Sequence, residues 1–368
     1  MIASTSPAFR GFGSEICNAF FGHGGQHMPL QEVMTKVPSL ALPSQLPHPD
    51  AIRSWRQNRY SYDPEGWELE YEGYRYLGRL PNDDLAGRYE SILRNMRTLI
   101  TPDRHVIPSI TFLSSWYWYR KEHQTRLEFF LRGTPLPMAP PEKLIDNLQP
   151  NAPVRPHSPN AGDIVFRYIE STYGCPMAQD GSVRISPASG YLRAEGHARG
   201  DNEVAKCSFV PGQYTQIVTQ DGNQVPILGD LKRTASFPDS YVLCAACDWD
   251  DALFDDFHAD SCVVIRQPET FAERLAQAAD VHLPGWLFYH GPVEYFDPFE
   301  TRMKQDLTPP LHKDFRFAYQ REYRFSWIPP DRGESSKGFI ELALGSLEGI
   351  AELHFKPRMD AVHRANSK

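Results

Sequence analysis

The chain has 368 residues, 41% hydrophobic and 12% aromatic, which is enough for a sizeable core and long enough for two domains. A net charge of -8 excludes a bulk electrostatic grip on nucleic acid and leaves only a local basic groove open. No apolar run approaches the roughly 20 residues of a membrane span, and six scattered cysteines argue for reduced thiols rather than a disulfide framework.

The opening Met1-Ile-Ala-Ser-Thr-Ser-Pro-Ala-Phe-Arg10 has no charged start ahead of an apolar segment, so a cytoplasmic protein without membrane contact is expected. Residues 1–50 are rich in Gly, Pro and Ser and read as a loosely ordered arm. From 51 to 133 the pattern is mainly helical. Trp67-Glu-Leu-Glu-Tyr-Glu-Gly-Tyr74 alternates like a short strand. Asn82-Asp-Asp84 caps a helix from Leu85 to about Ile100, with Leu85, Tyr89, Ile92, Leu93, Met96 and Leu99 at helical spacing. Pro108 opens a second helix that runs to about Leu131 and ends at Gly133. Its Trp116-Tyr-Trp-Tyr-Arg120 faces all round the helix, so a contact surface for a regulatory or oligomeric partner is expected there. Residues 134–162 are a Pro-rich linker, or else a surface crossing.

From Asp163 the pattern changes to short strands: Ile164–Tyr168, Gly181–Ser186, Ser240–Ala246, Ser261–Arg266, Val293–Phe296, Phe317–Trp327, Gly338–Leu344 and Ile350–Phe355. Helices fall at 251–258 and 268–279. The fold class expected is α+β, a mostly antiparallel sheet domain over 163–356 behind a helical N-terminal region, with a basic tail at 357–368.

Phe317-Ala-Tyr-Gln-Arg-Glu-Tyr-Arg-Phe-Ser-Trp327 carries polar residues where a buried strand would have aliphatics. Alternation puts Ala318, Gln320, Glu322 and Arg324 on one face, with Gln320 and Glu322 roughly 7 Å apart along the strand. The bland alternative is a solvent-facing edge strand. Two metal readings arise and are both set aside. Cys244-x-x-Cys247 with His258 and Cys262 has zinc-ligand residue types, but the first pair lies in a buried strand and reads as core thiols. Asp251 and Asp255 stand one helical turn apart and read as a solvated helix face.

Several motifs recur in a fixed order: Phe166-Arg-Tyr168, Gly181-Ser-Val-Arg-Ile-Ser186, Tyr241-Val-Leu243, the helix face Leu253, Phe254 and Phe257, the strand Cys262–Ile265, and Tyr319-Gln-Arg-Glu-Tyr-Arg324. This order over 163–355 resembles an uncharacterised bacterial defence-associated family, and through it the ADP-ribosyltransferase fold. The resemblance implies NAD as substrate, a macromolecular acceptor, and the role of a toxin or defence effector. It implies that Arg167, with Tyr168 and Ser186, grips NAD, Glu322 stabilises the cationic ribose as nicotinamide leaves, and Gln320 orients the acceptor. A fixed carboxylate stabilises such developing charge best where water is excluded.

This chain departs from the family in two places. Gln320 stands where Glu is usual, and Cys244-Ala-Ala-Cys247 replaces a serine motif, leaving Ser186 or Ser240 as the hydroxyl. Gly200-Asp-Asn-Glu203 is the nearest match to the family's Asn-Asp-Pro-x-Glu-like turn, lacks its proline, and reads equally as a turn closing over a nucleotide or as a mobile surface loop. Two rival expectations stay open: a non-catalytic binding or scaffold protein that keeps the fold, and an NAD glycohydrolase.

Overall fold

The computed structural model describes residues 63–99, 115–137, 161–191, 202–212, 217–225, 227, 229–300, 307–330 and 338–356. The arm at 1–50, Pro108, most of the stretch between 134 and 162, the loop at 192–201 and the tail at 357–368 lie outside the described residues.

Three helices come first. Helix α1 (Pro64–Tyr74) stands where alternation suggested a strand. Its start explains the difference: the Asp63 side chain accepts from the Gly66 amide at 3.0 Å and Pro64 presets the first turn. Trp67 and Tyr71, four apart, are the buried pair, whereas Leu69 on the supposed strand face is exposed. Helix α2 (Asn82–Leu99) has Asp83 and Asp84 in its first turn, where carboxylates meet the positive end of the helix dipole. Helix α3 (Ser115–Arg132) is closed by Gly133 at φ +64.

The rest of the chain runs β1 (Val165–Ile169), α4 (Ser171–Asp180), β2 (Ser182–Pro187), α5 (Ala188–Tyr191), β3 (Ala205–Val210), β4 (Ile217–Val218), β5 (Gln224–Val225), β6 (Leu231–Ser236), β7 (Tyr241–Ala246), α6 (Ala252–Asp256), β8 (Ser261–Ile265), α7 (Pro268–Asp280), β9 (Leu287–Pro292), β10 (Glu294–Phe296), β11 (His312–Asp314), a 3-10 helix (Phe315–Gln320), β12 (Glu322–Ile328), β13 (Ile340–Ala343) and β14 (Ala351–Phe355). The fold is α+β, with one sheet of eight strands whose pairings are all antiparallel.

The sheet forks at β7. Strand β12 pairs with β7 along its whole length, Glu322 opposite Ala246 through Trp327 opposite Tyr241. The other edge of β7 is shared. β2 takes Tyr241 and Val242, and β1 takes Ala246. The β2 branch continues to β13, the β1 branch to β8 and β14, and β12 carries β9. Leu243, Cys244 and Ala245 therefore have no strand partner on the forked edge.

Each face of the sheet is covered. One face carries Val165, Leu243, Val263, Phe325 and Trp327 under Phe271 and Leu275 of α7. The other carries Phe166, Ala246 and Val264 under Ile92 and Leu99 of α2 and Trp118 of α3. The helical region thus shares a core with the sheet. Polar ties reinforce the contact. Arg88 donates to both Asp297 oxygens at 2.9 and 2.7 Å, and Lys121 lies 2.6 Å from Asp297, all three side chains buried. Asn95 donates to the Phe315 and Arg316 carbonyls, each at 3.2 Å, fastening α2 to the 3-10 helix. The aromatic helix, expected to serve a partner, buries Trp118 and packs the half-buried Tyr117 against this core within the chain.

Candidate functional site

The fork in the sheet opens a cavity of about 750 Å³. Its walls are the facing edges of β1 and β2, its floor is the unpaired stretch of β7, and α4 and β13 flank its mouth. Gly181 sets the angle between α4 and β2. It has φ +68, and a Cβ there would collide with the Gly345 carbonyl, so no other residue fits.

All five residues singled out from the sequence, Arg167, Tyr168, Ser186, Gln320 and Glu322, line this one cavity. Their settings differ from those expected. Gln320 is not on a strand. Residues 315–320 form a 3-10 helix, opened by Asp314 accepting from the Arg316 amide at 3.0 Å, and Arg321 then turns left-handed at φ +48 before β12 begins. That left-handed residue breaks the period-two alternation on which the Gln320/Glu322 pair was founded. The solvent-facing edge reading also fails. β12 is buried at every position and lies between β7 and β9.

Glu322 is the centre of a buried ionic cluster. Arg324 donates through Nε to Glu322 at 2.5 Å, Lys313 donates to the other oxygen, and Arg324 Nη2 reaches Glu203 at 2.6 Å. Lys206 and Lys313 stand 3.3 and 3.6 Å from Glu203. Burial alone would raise the Glu322 carboxyl. The Arg324 and Lys313 charges outweigh it and hold the group well below the usual carboxylate range. Arg324 and Lys313 thus bridge Glu322 and Glu203 behind the cavity, and Lys206 also meets Glu203.

Arg167 donates through Nη1 to the Cys244 carbonyl at 2.6 Å, satisfying the floor strand where no neighbour pairs with it. The Cys247 amide bonds to the Arg321 carbonyl at 2.6 Å, so alternation turns the Cys244 backbone groups away from β12 and towards the cavity. Burial pushes the Cys244 thiol up to about 12, with Glu322 adding to the effect. Tyr191 links the two sides of the site. Burial first, then Cys244 and Glu322, lift its hydroxyl above the usual range, while Arg167 pulls it down.

Tyr168 lines the cavity, but its hydroxyl accepts from the Asp250 amide at 2.6 Å and its ring packs edge-on against Phe254. Its role is to build the wall. Of the two candidate hydroxyls, Ser186 is on the wall, whereas Ser240 is buried and donates to the Pro238 carbonyl at 3.2 Å. The metal constellations do not assemble. Asp251 accepts from the Trp249 indole at 2.7 Å and Asp255 from Lys356 at 2.5 Å. Among the described residues no group of three His, Cys, Asp or Glu could hold an ion.

Sequence reasoning missed Lys313, Arg324, Glu203 and Tyr191 as members of the site. Arg324 had a signal, because it shares a face with Glu322 by simple alternation. Glu203 stood in the stretch read equally as a turn closing over a nucleotide or as a surface loop. Lys313 and Tyr191 reach the cavity only through the fold.

Compared with protein-family models, with characterised proteins and with solved structures, the chain matches none, so the reading of the site rests on its own geometry.

Proposed function

We propose that residues 163–356 are an ADP-ribosyltransferase-like domain that cleaves NAD at the nicotinamide–ribose bond and passes ADP-ribose to a macromolecular acceptor. The observation that carries this reading is the convergence of Arg167, Ser186, Gln320 and Glu322, distant in sequence, on one cavity. Its volume lies within the roughly 300–1,000 Å³ of small-molecule sites. The fork in the sheet supplies what the chemistry needs, a crevice with cations behind it and a carboxylate at its base. A guanidinium such as that of Arg167 on the wall suits an anionic diphosphate, to which its planar fork can offer two parallel hydrogen bonds.

In the reaction the C1′–N bond breaks and its electron pair leaves on neutral nicotinamide. A nucleophile of the acceptor bonds to C1′ and gives its proton to solvent. With water as nucleophile the same site is an NAD glycohydrolase. Glu322 stabilises the positive ribose, and for that Lys313 must turn from it, which a diphosphate drawing the lysine would accomplish. A toxin or defence effector working in the cytoplasm is the corresponding biological role.

One observation favours a second reading, a binding protein without turnover. Glu322 is neutralised by both Lys313 and Arg324, and a carboxylate so held has little charge left for a cationic transition state. The deciding experiment is nicotinamide release from NAD by the full chain, with and without cell lysate, beside Glu322→Gln. Release by wild type alone supports the enzyme. NAD binding without release supports the binding protein. Neither binding nor release would sink both.

A further inference from the structure

Two aromatic side chains at the mouth of the cavity belong to neither face of the core. Phe339, just before β13, is 49% exposed, and Tyr173, in the first turn of α4, is 50% exposed, yet both line the cavity. Single exposed apolar residues are ordinary on a protein surface. Phe339 differs because it is held. The Arg184 guanidinium carbon lies 3.4 Å from the centre of its ring, a van der Waals stacking distance. Arg184 stands exposed on β2, at the register position opposite Glu341 of β13. The ring therefore has a cation against one face while it remains half-open at the cavity wall, available to a planar group.

The cation also sets which planar group fits. A neutral ring stacks on an aromatic backed by a guanidinium, because offset π faces attract and the positive charge draws on both. A pyridinium, itself positive, meets repulsion from Arg184 through the ring. We propose that Phe339 is the stacking platform for a neutral purine, the adenine of a nucleotide ligand, with Tyr173 as a second aromatic at the rim. This rests on the nucleotide reading above and deepens it. The adenine lies at the mouth, and the cationic pyridinium lies towards Glu322.

The test uses the full chain with AMP, nicotinamide mononucleotide and NAD as separate probes. Phe339→Trp introduces an indole at the platform, and its fluorescence is expected to be quenched by AMP and NAD. Phe339→Ala is expected to weaken AMP binding by about 5- to 150-fold, the usual loss for one base–aromatic stack, and to leave nicotinamide mononucleotide affinity unchanged. Because Phe339 is half-exposed, both variants should keep the wild-type thermal midpoint. AMP binding unaffected by Phe339→Ala, equal weakening of both mononucleotides, or no AMP binding by wild type would each overturn the proposal. Nicotinamide release is measured alongside. Platform-dependent AMP binding without release keeps the platform and removes the enzyme reading, whereas release with Phe339-independent AMP binding does the reverse.

Discussion

Arg324 and Glu322 stand two apart on β12, on the same face of the sheet, with Nε 2.5 Å from the carboxylate and both side chains buried. Two charges brought out of water together cost several kcal/mol each. Here the neighbours make up that cost: Lys313 also binds Glu322, and Glu203 takes the far side of Arg324. The cluster is one unit, and its members are not independently removable.

Glu322→Gln therefore has a structural effect besides any catalytic one. It leaves Glu203 as the carboxylate shared by Arg324, Lys313 and Lys206. We expect a loss of about 3 kcal/mol in urea unfolding, with the near-ultraviolet spectrum retained at pH 7 and nicotinamide release at background. An unchanged urea midpoint would show that the cluster does not act as a unit.

Asp297→Ala should be the most damaging change away from the cavity. It removes the carboxylate that buried Arg88 and Lys121 share at the junction between the helices and the sheet, and leaves Lys121 its pairing with Glu300. The expected loss is about 3–5 kcal/mol, and cleavage by protease should begin within residues 63–132. A loss under about 1 kcal/mol would mean that the two cations find water when the carboxylate is gone.

Acid should destabilise the chain through the same carboxylates. Burial would raise Asp297 and Glu300, but Arg88 and Lys121 for the first, and Lys121 and Arg120 for the second, hold them far below normal, and Glu322 behaves alike. Groups depressed in the folded state contribute stability that is complete above their unfolded values, about 4.3 for Glu and 3.9 for Asp. That stability is lost as pH falls towards the folded values, because the unfolded chain then binds more protons. Urea midpoints should be level from pH 8 to 6 as far as these groups are concerned and fall below about pH 5. Glu322→Gln should flatten that fall.

Gly181→Ala and Gly285→Ala separate backbone strain from collision. Both glycines have positive φ, +68 and +79, so alanine costs about 1 kcal/mol at each. Only at Gly181 does the new Cβ meet backbone, the Gly345 carbonyl, while at Gly285 nothing stands within 4 Å. Gly181→Ala should cost clearly more, about 2–4 kcal/mol, and disturb the cavity by shifting β2 against α4. Equal losses in thermal unfolding would show that the β13 turn yields.

Much of this was legible in the residues. Cys262-Val-Val-Ile265 has the continuous apolar run of a strand covered on both faces, and β8 is buried throughout. Pro268 at the first turn announced α7, which runs to Asp280. The α1 segment was misread because Glu at every second position imitates alternation, and the deciding signal was the Asp63-Pro64 start. The 3-10 helix was invisible for a stronger reason. Arg321 adopts a left-handed backbone that nothing about arginine suggests, and it is held there by tertiary bonds, Nη2 to Asp250 at 2.7 Å among them.

The sequence by itself determined where apolar surface must be hidden, and hence most strands of the sheet, helices α2, α3, α6 and α7, and the alternation that sets Glu322 and Arg324 side by side. Those outcomes depend on periods of two and 3.6 residues, which are local. The tertiary structure alone decided that β1 and β2 share one edge of β7 and open a cavity between them. It also decided that Lys313, Glu203 and Tyr191 come to meet Glu322. Strand order and ion pairing depend on which distant surfaces bury each other best, and that choice is made by the whole core at once.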